Sequence, residues 1–270
     1  MKKSFLTLFF SLSLMTLSAC GVTNTESGFS LADYPLIQEQ FRSPFIDITY
    51  ESAVTNSTKN ATVILPFDYK ENENYPVLYF LHGVGSDHKG MIKDGHMEII
   101  SGKMMENGSR KFITVLVNLN MNETEEILNL ENKYMMDKAT EDIMQSLMPY
   151  INDNFNVLKD RDNTYICGIS YGGRVALDTA IKYSDTFSKV GAFEPWKLQT
   201  GTIEKNKDRA KSLYIYIQQG TNDRLVFDEP TKISRTMDSY GIKNTLSQTS
   251  YGHCYDAWRE GYQEFLEAIL

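Results

Sequence analysis

The sequence lacks the short motifs by which many proteins bind metal ions or phosphate groups. No His-x-x-x-His or Cys-x-x-Cys spacing occurs, and the carboxylates show no ligand spacing, so we expect no metal site. A glycine-rich loop ending in Gly-Lys-Ser or Gly-Lys-Thr is also absent, which argues against a P-loop nucleotide site. We therefore expect no metal and no other cofactor.

Basic residues are fewer than acidic ones. The chain has 27 lysines and arginines against 35 aspartates and glutamates, which gives a formal net charge of −8. A net acidic protein has no general attraction for nucleic acid or for anionic lipid. Nucleic acid is therefore not an expected partner.

Cysteine is scarce as well, with three residues in the chain. One of them, Cys20, fits a lipid anchor, which leaves Cys167 in a predicted buried strand and Cys254 in a predicted loop. An exported compartment permits a disulfide between these two, although pairing cannot be deduced from sequence. We favour two free thiols.

The N-terminal segment is typical of an export signal. Lys2 and Lys3 form a basic region, and residues 5–14 form an apolar run too short for a membrane span. Leu-Ser-Ala-Cys follows at 17–20, in the pattern of a bacterial lipobox. We predict that residues 1–19 are removed and that Cys20 then carries diacylglycerol and palmitate-type chains, anchoring the protein at the extracytoplasmic face of the cell membrane. An ordinary signal peptide with an incidental cysteine is the alternative.

The remaining chain has the composition of one globular domain. Hydrophobic residues make up 41% and charged residues 23% of the sequence, and 270 residues suffice for one large α/β domain. Residues 20–34 are rich in small polar residues and predict a flexible tether after Cys20. Residues 35–270 contain no internal repeat and no low-complexity block, so we predict a single domain there.

Strand and helix patterns alternate along this domain. Two early segments predict an antiparallel hairpin, and the later strands are apolar runs of the kind found in sheets covered on both faces. We predict strands at 41–52, 59–66, 75–81, 112–119, 164–169, 190–193, 213–218 and 244–249. Helices are predicted at 91–106, 134–155, 175–183, 229–240 and 255–270. The fold class is α/β, with a mostly parallel doubly wound sheet.

The strand at 164–169 runs into Gly-Ile-Ser-Tyr-Gly at 168–172 and then directly into a predicted helix. This strand–turn–helix context is that of the nucleophile elbow of α/β-hydrolases, with Ser170 exposed at the corner. Glycines lie two residues either side of the serine, where a side chain would collide with neighbouring backbone. The pattern alone occurs by chance, so its meaning depends on an acid and a histidine that follow in order.

Asp223 and His253 complete that order. Each follows a later predicted strand, and the carboxyl ends of parallel strands meet at one edge of the sheet. His253 would take the serine proton, and Asp223 would orient the imidazole. His82 also follows a strand and is the rival histidine. Asp228 is the alternative acid, and Asp223 itself could be a turn residue.

The tetrahedral intermediate of acyl transfer needs donors for its oxyanion. One is the backbone N–H of Tyr171, directly after the serine. The second comes from the glycine-rich loop at 82–85, where we choose Val84 over Gly83 or Gly85. Trp196 and Trp258 follow strand ends near this site, so we assign them to a substrate pocket, with ordinary packing as the alternative.

Four segments together resemble the esterase D-like putative esterase family of α/β-hydrolases. They are YFLHGVG at 79–85, GISYGG at 168–173, GTND at 220–223 and GHCYDAW at 252–258, and the DRD turn at 160–162 also fits. The resemblance covers residues 41–270. This family includes feruloyl esterases, acetyl-xylan esterases and S-formylglutathione hydrolases. It implies the α/β-hydrolase fold and a serine carboxylesterase.

The chain departs from this family at two positions. Tyr171 stands where these esterases often have Met, and Cys254 stands where feruloyl-esterase-like members often have an acid. The resemblance implies hydrolysis of small or carbohydrate-borne esters, with acyl or feruloyl groups as candidates. A thioesterase or acyltransferase on the same fold is the alternative, and a non-catalytic surface binding lipoprotein is a more distant one.

Overall fold

Eight strands form one sheet in a computed structural model that describes residues 37–120, 133–198 and 200–270. The strands are β1 (Phe45–Ser52), β2 (Ser57–Ile64), β3 (Val77–Leu81), β4 (Ile113–Val117), β5 (Thr164–Ile169), β6 (Lys189–Phe193), β7 (Tyr214–Gly220) and β8 (Thr245–Thr249). Their order across the sheet is β1-β2-β4-β3-β5-β6-β7-β8. The predicted strands are all present, with ends that differ by a few residues.

The sheet is antiparallel at one end and parallel elsewhere. β1 and β2 form a hairpin, and β2 also pairs antiparallel with β4. From β4 to β8 all neighbours are parallel. The prediction of a mostly parallel sheet with an antiparallel N-terminal hairpin is confirmed. The parallel arrangement places the carboxyl ends of six strands along one edge.

Helices cover both faces of this sheet. They are α1 (Gly90–Lys93), α2 (Met97–Glu106), α3 (Lys133–Asp142), α4 (Met148–Asn154), α5 (Tyr171–Lys182), α6 (Thr200–Ala210), α7 (Glu229–Ser239) and α8 (Tyr255–Ile269). One core contains side chains of α3 to α7, and the other contains those of α1, α2 and α8. Strand β3 contributes to both cores: Tyr79 points into the first core and Phe80 into the second, because successive strand residues face opposite sides of the sheet.

The helices differ from the predicted ones at three places. The segment 91–106 is two helices, since His96 has a φ of 54° and this left-handed conformation cannot continue a right-handed helix. The segment 134–155 is a helical run interrupted by a π-helical turn, Ile143–Leu147. Helix α6 was not predicted, because its buried apolar residues are only Ile203 and Ala210 in a polar stretch.

Lys59 of β2 forms a buried ion pair with Asp142 at the end of α3. The Nζ–Oδ2 distance is 2.8 Å, and the two side chains are 4% and 1% exposed. Tyr50 of β1 donates its hydroxyl to the same carboxylate oxygen at 2.8 Å. Charges removed from water are tolerated only when paired, so this cluster joins the hairpin to the helical layer in one geometry.

Several predictions lie outside the described residues. The signal peptide at 1–19, the lipidated Cys20 and most of the tether at 20–34 belong to this group. Among the residues that the structure does describe, no helix is long and apolar enough to cross a membrane.

Cys167 is a free, buried thiol in β5. Cys254 is not free, so the expectation of two free thiols is wrong at that residue.

Replacing Lys59 by Met should destabilise the fold by about 3–5 kcal/mol, because Asp142 is then left as an unpaired buried charge. Urea unfolding followed by circular dichroism measures the change. Lys111→Met is the matched control, since Lys111 pairs with Asp68 on the surface and such pairs contribute little. Equal stability of Lys59→Met and wild type would contradict the assigned role of the buried pair.

Candidate active site

Ser170 lies at a sharp corner between β5 and α5. Its backbone has φ 53° and ψ −119°, a conformation that costs energy in a non-glycine residue and persists only where the surroundings enforce it. Two backbone hydrogen bonds enforce it: the Ser170 N–H donates to the Phe193 carbonyl at 2.9 Å, and the Trp196 N–H donates to the Ser170 carbonyl at 3.1 Å. The corner holds the hydroxyl out from the end of the strand.

Glycine is required on both sides of the serine. A Cβ on Gly168 would lie 2.3 Å from the carbonyl oxygen of Gly172. A Cβ on Gly172 would lie 2.4 Å from the carbonyl oxygen of His82 and 2.5 Å from that of Leu81. The start of α5 therefore contacts the end of β3 through bare backbone, which is the steric reason expected from the sequence.

The structure brings Ser170, His253 and Asp223 together from three loops. Ser170 Oγ lies 2.9 Å from His253 Nε2, and His253 Nδ1 lies 2.7 Å from Asp223 Oδ2. A carboxylate can only accept a hydrogen bond, so in the neutral imidazole Nδ1 carries the proton and donates. Nε2 is then free to accept the serine proton. All three residues are buried.

Asp223 uses its two oxygens for different purposes. Oδ1 accepts the backbone N–H groups of Leu225 at 2.7 Å and Val226 at 3.1 Å, while Oδ2 contacts His253. Asp223 is thus both the turn residue and the histidine partner. The alternative acid, Asp228, is exposed and pairs with Lys232, so it does not serve as the acid.

His82, the rival histidine, is built into the fold. Its Nε2 accepts the Leu119 N–H at 2.9 Å, so Nδ1 is the atom that donates to the Gly83 carbonyl at 2.7 Å. Burial lowers the pKa of His82 to about 4, which keeps the ring neutral near pH 7. Neither nitrogen is available to a serine.

Glu194 is a site residue that sequence reasoning missed. It follows β6 directly, has a φ of 46°, and its side chain is completely buried. Its Oε2 lies 3.3 Å from His253 Nδ1 and accepts the Trp258 indole N–H at 2.8 Å. Its position directly after a buried parallel strand could have indicated this role, because polar residues at the carboxyl ends of such strands lie at the edge of the sheet where ligands bind.

Two carboxylates therefore act on one imidazole. Burial by itself lowers the pKa of His253, but the hydrogen bonds and charges of Asp223 and Glu194 outweigh it and raise that pKa to about 9. Burial also raises the pKa of Glu194, with the His253 contact opposing the rise. These opposing effects mark the cluster as a functional-site candidate on electrostatic grounds.

The same cluster is the one grouping of potential metal ligands among the described residues. The two carboxylates approach the same ring nitrogen of His253, and the nearer contact is a 2.7 Å hydrogen bond. The proton on Nδ1 occupies the position that an ion would need. The arrangement fits a proton-transfer site better than a metal centre.

The glycine-rich loop at 82–85 lies beside the serine. A Cβ on Gly83 would be 3.3 Å from the Ser170 Cβ. Tyr171 is the first residue of α5, where the backbone N–H has no partner within the helix. Both features suit an oxyanion site, and the roles of the Val84 and Tyr171 N–H groups stay a prediction.

The two tryptophans are placed differently. Trp196 lines an open cavity of about 620 Å³ together with residues of the loop that follows β7, including Leu225 and Phe227. Trp258 is not among the residues that line this cavity. Its ring packs edge-on against His253, with centroids 5.0 Å apart, and its N–H contacts Glu194. Trp258 thus supports the histidine and Glu194, and its assignment to the substrate pocket stays a prediction.

A serine on a nucleophile elbow, followed in the chain by an aspartate and a histidine that it meets at the sheet edge, defines an α/β-hydrolase. The family model described as Putative esterase matches residues 52–269. The chain therefore belongs to this esterase family, as its motifs implied.

Individual relatives agree with this assignment. A curated endo-1,4-beta-xylanase/feruloyl esterase of Xylanibacter ruminicola is 24% identical over 235 residues, and the match covers 83% of this chain and 31% of that protein. The chain thus spans about a third of the relative's length. A ferulic acid esterase from Anaeromyces mucronatus is 26% identical, with a TM-score of 0.75 over 86% of this chain and 96% of the other. S-formylglutathione hydrolase from Staphylococcus aureus shares the fold at 17% identity, with a TM-score of 0.67 over 84% and 97%.

Replacing Gly172 by Ala should destabilise the protein by about 3 kcal/mol, because α5 must move away from β3 to admit the methyl group. Thermal or urea unfolding measures the loss. Gly201→Ala in α6 is the matched control, since a Cβ there meets nothing within 4 Å and should leave stability unchanged or slightly higher. A Gly172→Ala variant as stable as the wild type would contradict the close approach of α5 to β3.

Proposed function

We propose that the protein is a serine carboxylesterase, anchored by lipid outside the cytoplasm, that hydrolyses esters through an acyl-enzyme intermediate. The observation that carries this proposal is the continuous hydrogen-bonded chain from Ser170 Oγ to His253 and on to Asp223, at 2.9 and 2.7 Å. A serine hydroxyl becomes a nucleophile when a base lies within hydrogen-bond reach. Membership of the esterase family supports the same chemistry.

The reaction follows from these positions. Ser170 Oγ attacks the ester carbonyl carbon while His253 Nε2 takes the hydroxyl proton, and the backbone N–H groups of Val84 and Tyr171 receive the oxyanion. The intermediate collapses, the alcohol leaves with the proton from His253, and an acyl-serine remains. Water, deprotonated by His253, then attacks the acyl-serine and releases the acid and the free hydroxyl.

The substrate we propose is an acyl or feruloyl ester, with a carbohydrate as a candidate alcohol. The cavity beside the site is lined by Trp196, Leu225 and Phe227 together with polar and charged residues such as Gln219 and Thr221. Aromatic faces next to hydrogen-bonding groups suit a planar or sugar-like group. Relatives described as feruloyl esterases support this choice.

Replacing Ser170 by Ala should abolish hydrolysis of p-nitrophenyl acetate, with a fall in kcat of at least about 10⁴-fold. A fluorophosphonate probe should label the wild type and not Ser170→Ala, because only an activated serine reacts. Initial rates and mass spectrometry of the labelled protein measure the two effects.

Ser188→Ala is the matched control, since Ser188 is a buried serine whose hydroxyl has no partner among the described residues. It should keep both turnover and labelling. Parallel assays with acetyl, feruloyl and longer acyl esters identify the acyl group, and an added alcohol acceptor separates hydrolysis from transfer. Labelling that persists in Ser170→Ala would contradict the proposal, and absence of labelling in the wild type would favour a binding protein.

The lipid anchor is the second part of this proposal and rests on the Leu-Ser-Ala-Cys pattern at 17–20. In a bacterial host the wild type should partition into detergent and yield an N-terminal peptide that begins at acylated Cys20, because two or more acyl chains hold a protein to a membrane stably. Cys20→Ser should remain in the aqueous phase, whereas Cys167→Ala should partition like the wild type. A Cys20 thiol that is unmodified or joined in a disulfide would contradict the anchor.

A further inference from the structure

We propose that Glu194 is a second acid for His253, a positioning residue that shares the Nδ1 proton with Asp223 and holds the imidazole ready for Ser170. The inference rests on the proposed function, since it concerns the same histidine. Glu194 directly follows β6, and the serine–aspartate–histidine order assigns no role to the end of that strand.

Two carboxylates lie close to Nδ1 of His253. This single N–H faces two carboxylate oxygens, Asp223 Oδ2 at 2.7 Å and Glu194 Oε2 at 3.3 Å. The unequal distances describe one short bond and a longer second contact to the same proton. If Asp223 can no longer accept, Glu194 is already within reach to keep the proton on Nδ1 and thus Nε2 as the base.

Glu194 is fixed in this position from several sides. Its backbone N–H donates to the Gln218 carbonyl at 3.0 Å, and its Oε2 accepts the Trp258 indole N–H at 2.8 Å. A Cβ on Gly220 would lie 2.1 Å from Glu194 Oε1, so the glycine that ends β7 provides the space for this carboxylate. A left-handed backbone at a non-glycine residue adds strain, which the fold retains at this point.

Electrostatics gives the second step. Among the residues that the structure describes, the titratable groups that face His253 are Glu194 after β6 and Asp223 after β7. Helix α8 packs the uncharged Trp258 ring against it. When Ser170 gives up its proton, the imidazolium forms between two carboxylates in a buried site, where such attraction is strong. Removing one carboxylate should therefore make His253 easier to deprotonate and less well oriented, without removing the base.

A purely structural role for Glu194, as the acceptor for Trp258, predicts something different. In that case Glu194→Gln keeps an oxygen for the indole N–H and does not change the effect of Asp223→Asn. The double variant thus separates the two roles, and the pH dependence of the site tests whether the Glu194 charge acts on His253.

The experiment compares Glu194→Gln, Asp223→Asn and the double variant by kcat/KM against pH with p-nitrophenyl acetate. Activity falls at low pH as His253 is protonated, and loss of a carboxylate charge lowers the pKa of His253. In Glu194→Gln this acidic limb should move to lower pH by about one pH unit. Asp223→Asn should lose about 10²-fold in kcat, short of the ~10⁴-fold seen where a single acid serves the histidine, and the double variant should lose at least about 10-fold more.

Two further measurements make the result independent of turnover and folding. His253 is titrated by NMR in the Ser170→Ala background with and without Glu194→Gln, so the shift is read even if the esterase proposal fails. Glu98→Gln is the matched control, because Glu98 is also a buried glutamate but pairs with Arg42 away from the site. It should leave the His253 titration unchanged.

An unmoved His253 titration in Glu194→Gln would overturn the inference. The inference would also be overturned if Asp223→Asn lost 10⁴-fold in kcat and the added Glu194→Gln substitution caused no further loss. An active wild type with either result would leave the serine mechanism standing and remove only Glu194 from it.

Discussion

The contact on which the site depends is the approach of α5 to the end of β3, backbone against backbone. At Gly172 the helix passes the carbonyl oxygens of Leu81 and His82 with no room for a methyl group. This approach sets the corner at Ser170, and it brings the glycine-rich loop after β3 beside the serine. The first turn of the helix and this loop therefore lie next to each other beside the serine.

Two histidines of the chain show how the surroundings decide the chemistry of one residue type. Both are buried, but His82 meets backbone groups and its pKa is lowered to about 4, whereas His253 meets two carboxylates and its pKa is raised to about 9. His82 serves as a neutral support for the loop near the serine. His253 can accept and return a proton, because its partners stabilise the charged form.

Much of the fold could be predicted from residue patterns. The runs 75–81 and 164–169 became β3 and β5, because continuous apolar segments suit strands buried on both faces. The elbow was predictable because glycine spacing around Ser170 has a local steric cause. Helix α6 was not predicted because two buried residues in a polar segment give almost no amphipathic signal.

Two side-chain arrangements at the site carry no signal in the sequence. Trp258 follows a strand end, and the structure places its ring against His253 and its N–H on Glu194. Glu194 precedes a proline after a buried strand and carries no motif. Such contacts depend on which side chains meet across the sheet edge, and spacing along the chain does not contain that information.

The sequence by itself determined the order serine, aspartate, histidine and the sheet that gathers them, because strand periodicity and tight glycine turns are local properties. Only the tertiary structure decided which oxygen of Asp223 faces His253 and that Glu194 lies beside it. Those choices depend on burial and on distances of about 3 Å between residues far apart in the chain, which only the packed fold defines.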